Sequence, residues 1–142
     1  MYRQAVQAAA SAVNDFAQRK LGRRDLSDVA LMQKAFSTNA PKIDMPRLRC
    51  PGDQSDLSVR AQQQGALQYA VGCFMAMRNP ATHRIPQWNP LTAFEYIIAF
   101  SVLARWIDFW DLEVAPPPPV VPPPPQPAQK STPKRARPAD TG

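Results

Sequence analysis

Asn89-Pro90-Leu91-Thr92-Ala93-Phe94-Glu95-Tyr96-Ile97-Ile98-Ala99-Phe100-Ser101-Val102-Leu103-Ala104-Arg105-Trp106-Ile107-Asp108-Phe109-Trp110-Asp111-Leu112 decides the fold. Asparagine followed by proline is a helix N-cap followed by a first-turn proline, so the pattern predicts a helix from there to about Leu112. The segment is apolar nearly all round, with a narrow polar strip of Ser101, Arg105 and Asp108. A helix with so little polar surface needs cover on several sides. Whatever the rest of the chain leaves uncovered falls to a second copy, and a homodimer is expected.

The cover comes from upstream helices. Residues 2 to 20 place Val6, Ala9, Ala10, Val13, Phe16 and Ala17 at intervals of three and four, an amphipathic pattern, with Gly22 just past its end. The basic cluster Arg19, Lys20, Arg23 and Arg24 reads either as a solvated helix end or as a patch contacting RNA. Ser27 or Asp28 caps a shorter helix over roughly 28 to 37. From Ser37 to Leu57 the prolines 41, 46 and 51 and Gly52 predict a loop without regular structure, a length that usually means function or mobility.

Asp56 or Ser58 starts a third helix running to Arg78. On it Leu67, Val71, Phe74 and Arg78 share a face, and Gly65, Ala66, Ala70 and Gly72 are read as points of close helix packing. The expectation is an all-α bundle of about four helices over residues 1–113, followed by a tail.

Residues 114–142 hold eleven of the 17 prolines, so the tail is expected to be polyproline II at first and then disordered and basic. The formal net charge of +6 divides evenly: 13 basic against 10 acidic residues in 1–113, and four against one in the tail. That mild excess is compatible with a nucleic-acid partner but short of a dedicated basic stripe. Two cysteines and one histidine give neither a disulfide framework nor a metal-ligand spacing, and no metal or other cofactor is expected. The longest nearly apolar run, Tyr96 to Ala104, is nine residues, against roughly 20 for a spanning helix. With no signal peptide recognised at the N-terminus, the expected setting is cytoplasmic, away from membrane.

The chemistry concentrates in Arg78-Asn79-Pro80-Ala81-Thr82-His83, which holds the only histidine. Pro80 disfavours a helical conformation at Asn79, so the third helix is expected to stop there. A permanent cation and an imidazole then lie across a helix end, four residues intervening. Such a pair is either a structural cap or a site for phosphate chemistry. Cys73 lies about 140° around the helix from Arg78, which counts against a cysteine hydrolase.

Together with Leu31-Met32-Gln33-Lys34-Ala35-Phe36 and the opening Asn89-Pro90-Leu91-Thr92-Ala93-Phe94-Glu95, this motif resembles the Ymh-type family of bacterial proteins over roughly residues 1 to 112. The family resembles in turn the HEPN superfamily (higher eukaryotes and prokaryotes nucleotide-binding). The resemblance implies a HEPN-like helical bundle, frequent dimerisation, and in active members a metal-independent ribonuclease of toxin-antitoxin or phage-defence systems, with an antitoxin protein as partner. Arg78 and His83 match its arginine-x4-to-6-histidine motif as catalytic residues, with Asn79 and Glu95 supporting. A catalytically silent RNA-binding, nucleotide-binding or dimerisation module is the alternative.

The motif is chemically sufficient for RNA. The nucleophile is the substrate's own 2′-hydroxyl, so the protein need only move protons and neutralise charge on the phosphorus oxygens. His83, with a reference pKa near 6.5, suits the proton. Arg78 offers a planar fork to two phosphate oxygens. Asn79 adds a donor, and Glu95, in the second turn of its helix, reads either as a partner of the helix dipole or as a group that orients Arg78 or His83.

Overall fold

The computed structural model describes residues 1–82, 88–125, 135–140 and 142. Helix α1 runs Tyr2–Leu21 and ends on Gly22, whose left-handed backbone (φ 66°) lets its N–H and that of Arg23 turn back onto the last carbonyls. Helix α2 is Asp28–Ala35. Helix α3, Leu57–Gly72, is capped by Asp56, which accepts the Ser58 N–H at 2.7 Å. Helix α5 is Pro90–Phe109, with the Asn89 carboxamide accepting the Thr92 N–H at 2.8 Å. These caps fall where the sequence places them, because each is decided by two or three adjacent residues.

Three local expectations are corrected. The chain is mostly helical and not wholly so: β1 (Arg47–Arg49) and β2 (Asp111–Glu113) pair antiparallel, Arg47 opposite Glu113 and Leu48 opposite Leu112. Strand β1 lies inside the stretch expected to hold no regular element. Strand β2 begins before Leu112, because Trp110 leaves helical geometry (ψ 144°) and ends α5 early. The third correction concerns the helix expected to stop before Pro80. It continues as a π-helical segment, Cys73–Arg78, and a further turn α4, Asn79–Thr82. In an unbroken α-helix a proline ring presses on the carbonyl four residues back. Here the turn widens by one residue, the Asn79 N–H reaches back five residues to Phe74, and Asn79 stays helical (φ −61°, ψ −47°).

The core lies between α1, α5 and the α3–π rod. Val6, Ala10, Val13, Ala17 and Leu21 form the buried face of α1, and Ala93, Phe100, Leu103 and Ile107 that of α5. Phe74 meets Phe100 edge-on at 5.4 Å, and Phe36, Trp106 and Trp110 close the other end. Lys20 Nζ donates to the Ile107, Asp108 and Trp110 carbonyls, so one member of the basic cluster caps the C-terminus of α5.

The inward face of α3 is Gln63, Ala66 and Ala70, while Leu67 and Val71 are only half-buried. Gly65 and Gly72 are not contact points, since a Cβ built on either meets nothing within 4 Å. Gln63 is buried because it ties down the loop before α3. Its Oε1 accepts the Cys50 N–H at 2.8 Å, and its Nε2 donates to the Leu48 carbonyl at 3.0 Å and to those of Phe36 and Ser37 at 3.3 Å. The carboxamide thus gives Leu48 and Cys50 the donor and acceptor that a neighbouring strand would.

Helix α5 is long and apolar enough to cross a membrane by length and composition, although its longest unbroken apolar run is short. Phe100, Leu103 and Ile107 are spent on the core, while Glu95, Arg105 and Asp108 are exposed along it. Between them Leu91 (64% exposed), Phe94 (62%) and Ile98 (47%) form an apolar stripe open to solvent.

Candidate functional site

Arg78 ends the π-helical segment, one residue before α4, with a third of its side chain exposed. Its Nη2 lies 3.3 Å from Asp28 Oδ2, so its ion-pair partner is the first residue of α2, fifty positions upstream. Asp28 stands at a helix N-terminus, where negative charge is favoured. Its N–H donates to Asn14 Oδ1 of α1 at 2.7 Å. Three elements therefore converge on the arginine: α1 through Asn14, α2 through Asp28, and the π-helical segment that carries it. A second tie from α1 fixes the turn that follows, where Gln7 Nε2 donates to the Ala81 carbonyl at 2.9 Å.

Asn79 is half-buried at the start of α4, immediately beside Arg78. His83 lies outside the described residues. Glu95 is exposed on α5 and meets neither Arg78 nor another cation among the described residues. The carboxylate beside Arg78 is that of Asp28, and the other expectation for Glu95, orienting His83, falls outside the described residues. Spacing along the chain gave no cue to Asp28, because the contact exists only when α2 folds back on the α3–π rod.

The cysteines sit apart from this chemistry. Cys73 is buried among apolar side chains, which pushes its thiol up to about 11 despite a hydrogen bond with Tyr69 that opposes the shift. Cys50 is buried and raised for the same reason. Neither is poised as a nucleophile, which requires a lowered pKa.

Positive charge gathers at a second place. The loop between α2 and β1 borders a pocket of about 300 Å³ whose lining includes Arg23, Lys34, Lys42 and Arg47, with Asp44 the one acidic member. Two arginines brace its walls. Arg23 pairs with Asp25 at 2.6 Å and reaches the Asp44 carbonyl, while Arg47 bonds Glu113 at 2.8 Å and the Ser37 carbonyl at 3.0 Å. Lys34 and Lys42 have no ion-pair partner among the described residues.

Fold and site together define a small, mostly helical protein with an arginine–aspartate pair on a π-distorted stretch of helix. The chain belongs to the family described as "Protein of unknown function (Hypoth_ymh)", which it matches over residues 1–107, from α1 almost to the end of α5. No curated protein and no solved structure matches it.

Proposed function

We propose that this chain is a metal-independent endoribonuclease of HEPN type, acting in the cytoplasm within a toxin-antitoxin or phage-defence system. The observation that carries the reading is the placement of Arg78: a guanidinium one-third exposed at the end of the π-helical segment, beside a carboxylate from another helix and five positions before the only histidine. Arg78 neutralises the scissile phosphate as charge builds on its oxygens, and His83 takes the 2′-hydroxyl proton or protonates the leaving 5′-oxygen. Asn79 donates a further hydrogen bond to the phosphate.

The active form is a homodimer. The stripe Leu91, Phe94 and Ile98 is continuous with an apolar groove of about 460 Å³ reaching Tyr2 and Ala5 of α1. That end of α1 also carries Gln7, the residue tied to Ala81. A second copy on this face buries the stripe and brings two motifs toward each other, so that two histidines can divide the acid and base roles. Exposed Glu95, Arg105 and Asp108 suit α5 to a water-facing bundle and not to a bilayer. An antitoxin protein completes the system. The proline-rich tail, disordered in this reading, serves as a spacer with a basic tip.

The basic pocket beside the loop favours a second reading, a catalytically silent RNA- or nucleotide-binding module. Incubation of the full chain with labelled single-stranded RNA in excess chelator separates the two. Cleavage supports the ribonuclease; binding without cleavage, abolished by changing Lys34 and Lys42 to glutamate, supports the silent module.

A further inference from the structure

Asp28 is the one non-glycine residue with positive φ among the described residues, at 53°. Left-handed backbone is unfavourable for a residue carrying a Cβ, though aspartate tolerates it better than most, and it persists only where the surroundings hold it. Here they do so at both ends: Asn14 Oδ1 takes the N–H at 2.7 Å, and Arg78 Nη2 meets the carboxylate at 3.3 Å. Glycine at this position would adopt the same φ without strain and would still donate its N–H to Asn14. The backbone turn therefore needs no aspartate. What the aspartate adds is a carboxylate aimed across the helix gap at Arg78.

Resting on the ribonuclease reading, we infer that Asn14 and Asp28 are positioning residues for the Arg78 guanidinium. Asn14 sets the backbone of Asp28, and the carboxylate, 3.3 Å from Nη2, keeps the guanidinium on the α2 side of the π-helical segment, which narrows the orientations it can present to the scissile phosphate. Reactive groups tolerate little misplacement, so losing this hold lowers the rate of the bound complex more than it lowers binding. A purely structural ion pair, tacking α2 to the π-helical segment, behaves otherwise: its loss lowers stability and leaves turnover per folded molecule unchanged.

The test uses the full chain with Asp28→Gly, Asp28→Asn and Asn14→Ala. Three quantities are measured: turnover of single-stranded RNA at saturation, affinity for the same RNA with every 2′-hydroxyl methylated, and melting temperature. Asp28→Gly is expected to melt no lower than the natural protein and to bind the methylated RNA at least as tightly, while turnover falls about 10- to 100-fold. Asp28→Asn, which keeps an oxygen acceptor facing Arg78, should retain more turnover than Asp28→Gly, and Asn14→Ala should lose turnover as well. Natural turnover in Asp28→Gly, a loss confined to affinity, or a lowered melting temperature would overturn the positioning role and leave the ribonuclease reading in place. RNA left intact by the natural protein would remove that reading and the positioning role with it.

Discussion

Gln63→Leu keeps the size of the side chain and removes its amide. Four hydrogen bonds go with it, of which those to the Cys50 N–H (2.8 Å), the Leu48 carbonyl (3.0 Å) and the Phe36 carbonyl (3.3 Å) are buried. The Ser37 carbonyl keeps the Arg47 guanidinium at 3.0 Å, so it is not stranded. Each buried group left without a partner costs about 1–3 kcal/mol, so the three together cost about 3–9 kcal/mol. Extra apolar burial by leucine offsets little, because the new methyls face polar backbone. Against a total stability of about 5–15 kcal/mol for a domain, this is a large fraction. With a urea slope of about 1–3 kcal/mol per molar, the unfolding midpoint should fall by at least about 1 M. Tryptophan fluorescence suits the assay, since Trp106 and Trp110 pack against Phe36 beside the same loop. Gln62→Leu, on the exposed side of the helix, should stay within about 0.5 kcal/mol of the natural protein. Equal midpoints for the two variants would show that Gln63 does not hold the loop.

Light scattering should report a dimer for the full chain at micromolar concentration and a monomer for Phe94→Asp, which sets a charge in the middle of the exposed stripe; a monomeric natural protein removes the dimer. Burial raises the Cys73 thiol from 9.0 to about 11 and the Tyr69 phenol from 10.0 to about 12. The folded chain therefore holds protons that the unfolded chain releases, so stability is full below about pH 9 and falls as pH rises toward 12. Cys73→Ala should flatten the part of that fall between pH 9 and 11, worth about 2 kcal/mol, and an unchanged profile would show that the thiol does not carry it. Residues 116–125 are exposed, so deleting 115–142 should move the melting temperature by no more than about 2 °C. Deletion from Glu113 onward should cost more, because it also removes the partner of Arg47.

Helix ends were legible because Asn89-Pro90, Asp56 and Gly22 act through their immediate neighbours. The sheet was not. Its strands are three residues each, and their pairing joins positions 66 apart through Arg47 and Glu113. The phase of α3 was ambiguous for a different reason: in Ala61-Gln62-Gln63-Gln64 nothing local shows which glutamine turns inward, and the buried line through Ala66 and Ala70 is less conspicuous than Leu67 and Val71. The proline rule failed at Asn79 because a widened turn satisfied it without ending the helix. At the site, Arg78 stood out as a cation at the end of an apolar pattern. Its partner did not, since Asp28 reads in the sequence only as a cap for α2.

The most direct measurement is the chemistry of the RNA ends. Natural protein incubated with single-stranded RNA in excess chelator should leave 2′,3′-cyclic phosphates. Arg78→Ala and His83→Ala should each abolish cleavage while retaining the helical circular-dichroism signal. Cleavage that survives loss of His83, or that leaves 5′-phosphate and 3′-hydroxyl ends, would contradict attack by the 2′-hydroxyl under the control of Arg78 and His83.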